Sequence, residues 1–284
     1  MTHKEKQNIQ ARLAEYVEQK GSQNKAARSL NEVSAGTLSQ ILAGNWELIS
    51  DDMWRNIAHQ VGYERRTWNI APTRGYEKMT KILTDAQDNA LVLAVVGDAG
   101  CGKTEAIRQY VAANRNVYHL CCSEYWNRKH FLAKLLRNMG IEAAGTVTDM
   151  MFDALQALKK TDAPLVILDE ADKLSDQVLY FFISIYNQLE DHCGILLCAT
   201  EYLEKRIKRG VRNSRKGYRE IYSRVGRKFI GLPLADMKDV TAVCRANGVE
   251  DRGDIARIAE EADGDLRRVK RLVWSLRTQQ QEEA

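Results

Sequence analysis

The stretch GDAGCGKT at 97–104 sets glycines, a lysine and a threonine in the spacing G-x-x-x-x-G-K-[ST]. Glycines at 97, 100 and 102 let the backbone curl with its N–H groups turned inward, a nest for phosphate oxygens at a helix N-terminus. The loop would hold ATP with Gly97, Asp98, Ala99, Gly100, Cys101, Gly102, Lys103, Thr104 and Glu105. Lys103 would reach the β and γ phosphates, and Thr104 would ligate Mg2+. A glycine turn without a ligand is the alternative, and it fits the context poorly, because an apolar run enters the loop and EAIRQYVAAN continues from it at helical spacing. Hydrolysis needs a second, acidic group, and LVILDEAD supplies one. Asp169 can join the magnesium shell while Glu170 polarises the attacking water. The competing reading makes both carboxylates, with Asp172, a charged start to the next helix; a preceding phosphate loop favours the catalytic one.

Such groups must be delivered by strand ends. The runs LVLAVVG at 91–97, NVYHLCC at 116–122, APLVILDE at 163–170 and GILLCAT at 194–200 are short, apolar and separated by helical segments. That alternation predicts an α/β core with a parallel sheet over 76–232. Residues 1–68 have helical spacing and no strand signal. NIAPTRG, with a proline and a glycine, predicts a linker at 69–75. From Pro233 the strand signal ends, and Val240, Val243, Ile255, Ile258, Leu266, Val269 and Leu272 predict a small helical unit over 233–284.

Charge is local. Glu204–Lys228 holds eleven Lys or Arg against two Glu, and the rest of the chain carries 31 basic against 36 acidic side chains. An anionic partner for that stretch follows better than general stickiness. The six cysteines lack zinc-site pairing and read as reduced thiols. No N-terminal apolar segment suits a signal peptide, and no run approaches the roughly 18 apolar residues of a membrane span, so a cytoplasmic protein with no membrane partner is the expectation.

GDAGCGKT, LVILDEAD, GILLCAT, the SRV of YSRVGRK and the GDLRR of DGDLRRVKR stand in the order of an AAA+ ATPase. With an N-terminal helical unit and the run GKTEAIRQY, the chain resembles the B transposition proteins of phage Mu and related transposon target-selection ATPases. The resemblance implies a P-loop AAA+ core, a helix-turn-helix-like N-terminal unit and a C-terminal helical lid. It also implies partners: duplex DNA, a transposase and further copies of the chain in a filament or ring. Carried over residue by residue, Thr200 falls at the polar sensor, where asparagine is common. Arg224 falls at the finger that reaches a neighbour's γ-phosphate, with Arg227 as the other choice. Arg267 falls at the lid's sensor. Their plainer readings are a strand-end threonine bonded to backbone, an arginine on a solvated face and an ion pair with Asp263.

Two segments could follow a phosphate backbone. Arg206, Arg209, Arg212, Arg215 and Lys216 crowd too closely to pair with two glutamates. Asn127, Arg128 and Lys129 follow the second strand, where relatives of this class face DNA; the alternative is a solvated helix start with Trp126 and Phe131 packing inward. The absence of an aromatic series favours duplex over single-stranded DNA. In SQNKAARSLNEVSAGTLSQILAGNW, a helix through Ala26 and Ala27, a turn at 31–33 and a helix capped by Ser34 suggest a helix-turn-helix, with a protein-binding bundle as the alternative. The functions implied are ATP-dependent target-DNA delivery, a helicase-loading ATPase, or a transcription regulator with ATP as ligand.

Overall fold

The structure is a computed structural model that describes residues 1–63 and 68–282, the side chains of 280–282 apart. Four helices come first: α1 (His3–Lys20), α2 (Gln23–Ser29), α3 (Ala35–Leu42) and α4 (Asp51–Gln60). Each begins where a hydroxyl can accept an otherwise unpaired N–H. Thr2 and Glu5 form a reciprocal cap on α1, and Ser22, Ser34 and Ser50 accept from the third residue of the helices they open. α1 stops at Gly21, whose φ of 78° is left-handed. Ile9, Leu13, Leu38, Ile41, Trp54 and Ile57 close a core of their own. Burying each such side chain stabilises the unit by about 1.5–3 kcal/mol.

After α5 (Arg74–Asp88) come the strands β1 (Val92–Val96), β2 (Val117–Cys121), β3 (Leu165–Asp169), β4 (Gly194–Ala199) and β5 (Phe229–Gly231). All pair in parallel, in the order β2-β3-β4-β1-β5. The apolar runs lack alternation because both faces are covered. Val166, Leu168, Ile195 and Leu197 face one core with α7 (Arg128–Asn138), α8 (Val147–Lys159) and α9 (Asp176–Leu189). Leu165, Ile167, Leu196 and Cys198 face the other with α5 and α6 (Lys103–Ala113). β5 has no sequence signal: it is three residues long, ends in glycine and takes its register from β1.

The basic stretch folds as α10 (Glu201–Arg212) and α11 (Tyr218–Arg224), divided by Gly217 with a φ of 81°. Tyr218 fills the space beside Gly210, where an added Cβ would lie 2.3 Å from the ring. α12 (Met237–Ala246), α13 (Arg252–Ala262) and α14 (Leu266–Glu282) complete the chain around Val240, Cys244, Ile258 and Val269.

The segment expected to be a linker is strapped to these last helices. Ala71 is buried in their core, and Asn69 and the buried Asn247 exchange hydrogen bonds, backbone N–H to Oδ1 at 2.9 Å and Nδ2 to backbone carbonyl at 2.9 Å. Among the described residues no helix is long and apolar enough to cross a membrane.

Candidate functional site

β1 and β3 are separated in the sheet by β4, although the chain runs from β1 out to edge strand β2 and back. Loops leaving the carboxyl ends of strands around such a reversal diverge and leave a crevice, the general location of ligands in open parallel sheets. A cavity of about 420 Å³ lies there. Gly100, Gly102, Lys103, Thr104 and Glu105 line one side and Glu170 another.

The loop 97–102 closes onto the sheet through the Gly97 N–H, which donates to the Ala199 carbonyl at 3.2 Å. Gly100 and Gly102 have φ of 83° and 91°, a backbone that side chains other than glycine rarely accept. Asp98 and Ala99 form the exposed apex, and Cys101 is buried beneath. α6 begins at Lys103, so its unpaired N–H groups and positive dipole end meet the cavity. The Lys103 ammonium folds back on its own loop, donating to the carbonyls of Gly97 at 2.7 Å and Asp98 at 2.8 Å. An anion in the nest would offer it a charged acceptor instead.

Thr104 Oγ1 donates to Asp169 Oδ2 at 2.8 Å, so the two residues singled out for magnesium meet. Asp169 is 1% exposed. Burial opposes its ionisation, but hydrogen bonds with His119 and Thr104 and the amide of Glu170 outweigh that cost and hold its carboxyl below the ordinary value. A buried carboxylate paired with a hydroxyl is a hard-oxygen donor set that suits Mg2+. Glu170 stands in the left-handed region at φ 57°, which costs a non-glycine residue about 1–2 kcal/mol and turns its side chain out of the strand direction. Its carboxylate pairs with Lys173 at 2.7 Å and accepts from Cys121 Sγ at 3.6 Å. Burial first, then the neighbouring carboxylates, push the Cys121 thiol up to about 11.

The other candidates divide. Arg267 lines the cavity from α14 and forms no ion pair with Asp263 among the described residues. Thr200 caps α10, and its hydroxyl donates to Asp172 Oδ2 at 2.8 Å. Arg224 lies outside the cavity, against α9: its guanidinium donates to Asn187 Oδ1 at 2.6 Å and sits 5.1 Å from the Tyr186 ring. Arg227 is exposed in the turn after α11.

Asn127 caps α7, with Arg128 and Lys129 exposed beside it and Trp126 and Phe131 packed inward, the arrangement of a solvated helix start. In the basic stretch, Arg209, Arg212, Arg215 and Lys216 are exposed, whereas Arg206 is turned inward. It reaches Asp176 at 2.5 Å, the Leu174 carbonyl at 2.7 Å and the Tyr218 hydroxyl at 3.2 Å. Arg215 also approaches Asp176, at 3.5 Å. For Arg206 and Arg215 the expectation of no acidic partner is corrected by that residue, which comes from the distant start of α9.

Sequence reasoning missed much of the cavity's remaining wall. Trp68 and Ile70 come from the strap, Tyr76 from the first turn of α5 and Val243 from α12, giving the phosphate loop an apolar neighbour that suits a planar ring, with Lys270 of α14 beside them. It missed His119 as well, whose Nε2 is 3.4 Å from Asp169 Oδ2. No local motif marks any of these residues.

Parallel sheet, phosphate loop and flanking helical regions together define a P-loop ATPase core. Residues 86–207 match the family described as AAA domain. The chain is 27% identical over 250 residues to the Mu-like prophage FluMu DNA transposition protein B of Haemophilus influenzae, covering 83% of this chain and 84% of that protein. It is 24% identical over 267 residues to the ATP-dependent target DNA activator B of Escherichia phage Mu, and equally to that of phage D108, covering 89% of this chain and 83% of each. Among solved structures, that of NtrX from Brucella abortus superposes with a TM-score of 0.49 at 12% identity, over 81% of this chain and 57% of that one. The chain is thus similar, at 24–27% identity, to the phage B transposition proteins, and part of it matches the AAA domain family.

Proposed function

We propose that this protein is an ATP-dependent, DNA-binding regulator of transposition, which assembles on duplex DNA as a filament or ring, presents that DNA to a transposase and is released by hydrolysis. The observation that carries the reading is the meeting of Thr104 and Asp169 at 2.8 Å beside a cavity that Lys103 and Glu170 line, in a chain distantly related to proteins named for ATP-dependent target DNA activation. Lys103 holds the β and γ phosphates, while Thr104 and Asp169 hold Mg2+, which neutralises charge on the phosphates when bound. Glu170, released from Lys173, orients the water that attacks the γ-phosphorus. As the water oxygen bonds to phosphorus the bond to the ADP oxygen breaks, the water's proton passes to Glu170 and on to solvent, and ADP and inorganic phosphate leave. Thr200 and Arg267 read the γ-phosphate within the subunit, and Arg224, outside its own subunit's cavity, supplies a neighbour's site. Arg209, Arg212, Arg215 and Lys216, with Asn127, Arg128 and Lys129, meet DNA phosphates.

Electron microscopy with duplex DNA tests the assembly. A filament or ring is expected with a non-hydrolysed ATP analogue and not with ADP. Glu170→Gln protein should hold the assembly in ATP itself, and Lys103→Ala should give none. DNA coating by Lys103→Ala, or rapid turnover by Glu170→Gln, would reject the assigned roles.

A further inference from the structure

The carboxylate of Asp169 is tied to the N-terminal helices through a continuous set of contacts. Thr104 Oγ1 and His119 Nε2 both bond Asp169 Oδ2, at 2.8 and 3.4 Å, and the Glu170 N–H bonds Oδ1 at 3.0 Å. His119 belongs to β2, an edge strand. The ladder bonds from Leu165 N to the Asn116 carbonyl and from Cys122 N to the Asp169 carbonyl show that the even-numbered residues of β2 face β3. The His119 carbonyl therefore points to the open edge, where no strand can satisfy it. Asn138, the last residue of α7, does so: its Nδ2 donates to that carbonyl at 2.6 Å.

What fixes the amide of Asn138 is Lys20, the last residue of α1. Its ammonium donates to the Asn138 carbonyl at 2.6 Å and to Oδ1 at 3.2 Å. A cation on Oδ1 permits one orientation of the amide, the one that turns Nδ2 toward β2. Lys20 does not act alone in this docking. Gln19 donates to the Ala112 carbonyl near the end of α6, Arg137 donates to Asn31 Oδ1 at 2.8 Å, and Arg115 pairs with Glu18 at 3.3 Å. Gly140 admits the backbone of α2 so closely that a Cβ there would lie 2.7 Å from the Lys25 carbonyl. The N-terminal helices thus grip the C-terminal ends of α6, whose other end meets the phosphate loop, and of α7, whose other end carries Asn127, Arg128 and Lys129.

We propose that the N-terminal helical unit is a positioning element for the ATP site: docked through Lys20, it sets the carboxylate of Asp169 by way of Asn138 and His119. This rests on reading Asp169 as a ligand of the nucleotide's metal. Lys20, Asn138 and His119 are positioning residues, and the unit that bears them becomes a handle by which a partner bound to the N-terminal helices could alter turnover.

The test uses the full chain and Mn2+ as the metal probe. Metal-free affinity for a fluorescent ATP analogue, Mn2+ affinity of the analogue-loaded protein by electron paramagnetic resonance, and kcat are measured for wild type, Lys20→Met, Lys20→Gln, His119→Leu and His119→Gln. Altering the partner of a metal ligand typically costs about 10-fold or more in metal affinity. Lys20→Met and His119→Leu should lose Mn2+ affinity and kcat by such a factor while keeping metal-free analogue affinity. His119→Gln, which retains an N–H donor, should recover part of both. Lys20→Gln serves if Lys20→Met does not fold. Wild-type Mn2+ affinity in a folded Lys20 variant would overturn the proposal, as would a loss in His119→Leu that His119→Gln does not relieve. Failure of the wild type to bind the analogue at all would refute the ATP site itself, a separate result.

Discussion

Lys20 is a cation bonded to neutral oxygens. Burial lowers its ammonium from the ordinary 10.5 to about 8. Between those values the unfolded chain holds a proton that the folded one has released, so stability should rise with pH across that window. Each pH unit crossed is worth at most about 1.4 kcal/mol. Urea unfolding of wild type and Lys20→Met at pH 7.5, 8.5 and 9.5 checks this: the wild type should gain stability relative to the variant as pH rises. A constant difference would mean that the ammonium is not desolvated where α1 docks.

Among the elements, α10 and α11 show why counting charges was insufficient. Lys205 and Lys208 pair along α10 with Glu201 and Glu204, and Arg206 is held by Asp176, leaving Arg209 and Arg212 in the last turn of the helix. Arg209→Ala and Arg215→Ala should weaken duplex binding and make the logarithmic salt slope shallower by about 0.9 for each phosphate that is no longer neutralised. Arg206→Ala should instead destabilise the fold by about 1–3 kcal/mol, because Asp176 and two carbonyls lose a donor. Filter binding over a salt series and urea titration separate the two; an unchanged salt slope in the first pair would remove those arginines from the DNA surface. The same elements mark what the residues alone disclosed. The buried strands were legible because parallel sheets write continuous apolar runs, and the loop 97–104 because phosphate binding requires glycines at fixed spacing. β5 was not, since three residues carry no period. Nor were Asp176 with Arg206, or Asn138 with His119: each pair joins residues far apart in the chain whose meeting depends on how finished elements pack.

At the scale of the molecule, the last helices sit on the phosphate loop. The Leu266 N–H donates to the Gly100 carbonyl at 3.0 Å, and a Cβ on Gly100 would lie 2.0 Å from Asp265 Oδ1. Gly100→Ala should therefore force α14 away from the loop and weaken nucleotide binding about tenfold, equivalent to about 1.4 kcal/mol. The double variant with Asp265→Ala should recover part of the loss. Analogue titration measures both, and wild-type affinity in Gly100→Ala would show that α14 leaves the loop when nucleotide binds.

The exchange between Asn69 and Asn247 joins positions 178 residues apart. In folding terms the C-terminal helices are a discontinuous unit, since part of their core is made long before the helices themselves. During synthesis the strap must wait, unpaired, while the whole sheet is built, and the late arrival of Asn247 closes a noncovalent ring around it. Lengthening that ring by an insertion in a surface loop costs little, because closure entropy grows only with the logarithm of loop length. Cutting it between the strap and α5 has a different effect: the fragment keeps every strand and the phosphate loop, yet leaves a buried amide without its partners and one wall of the cavity missing.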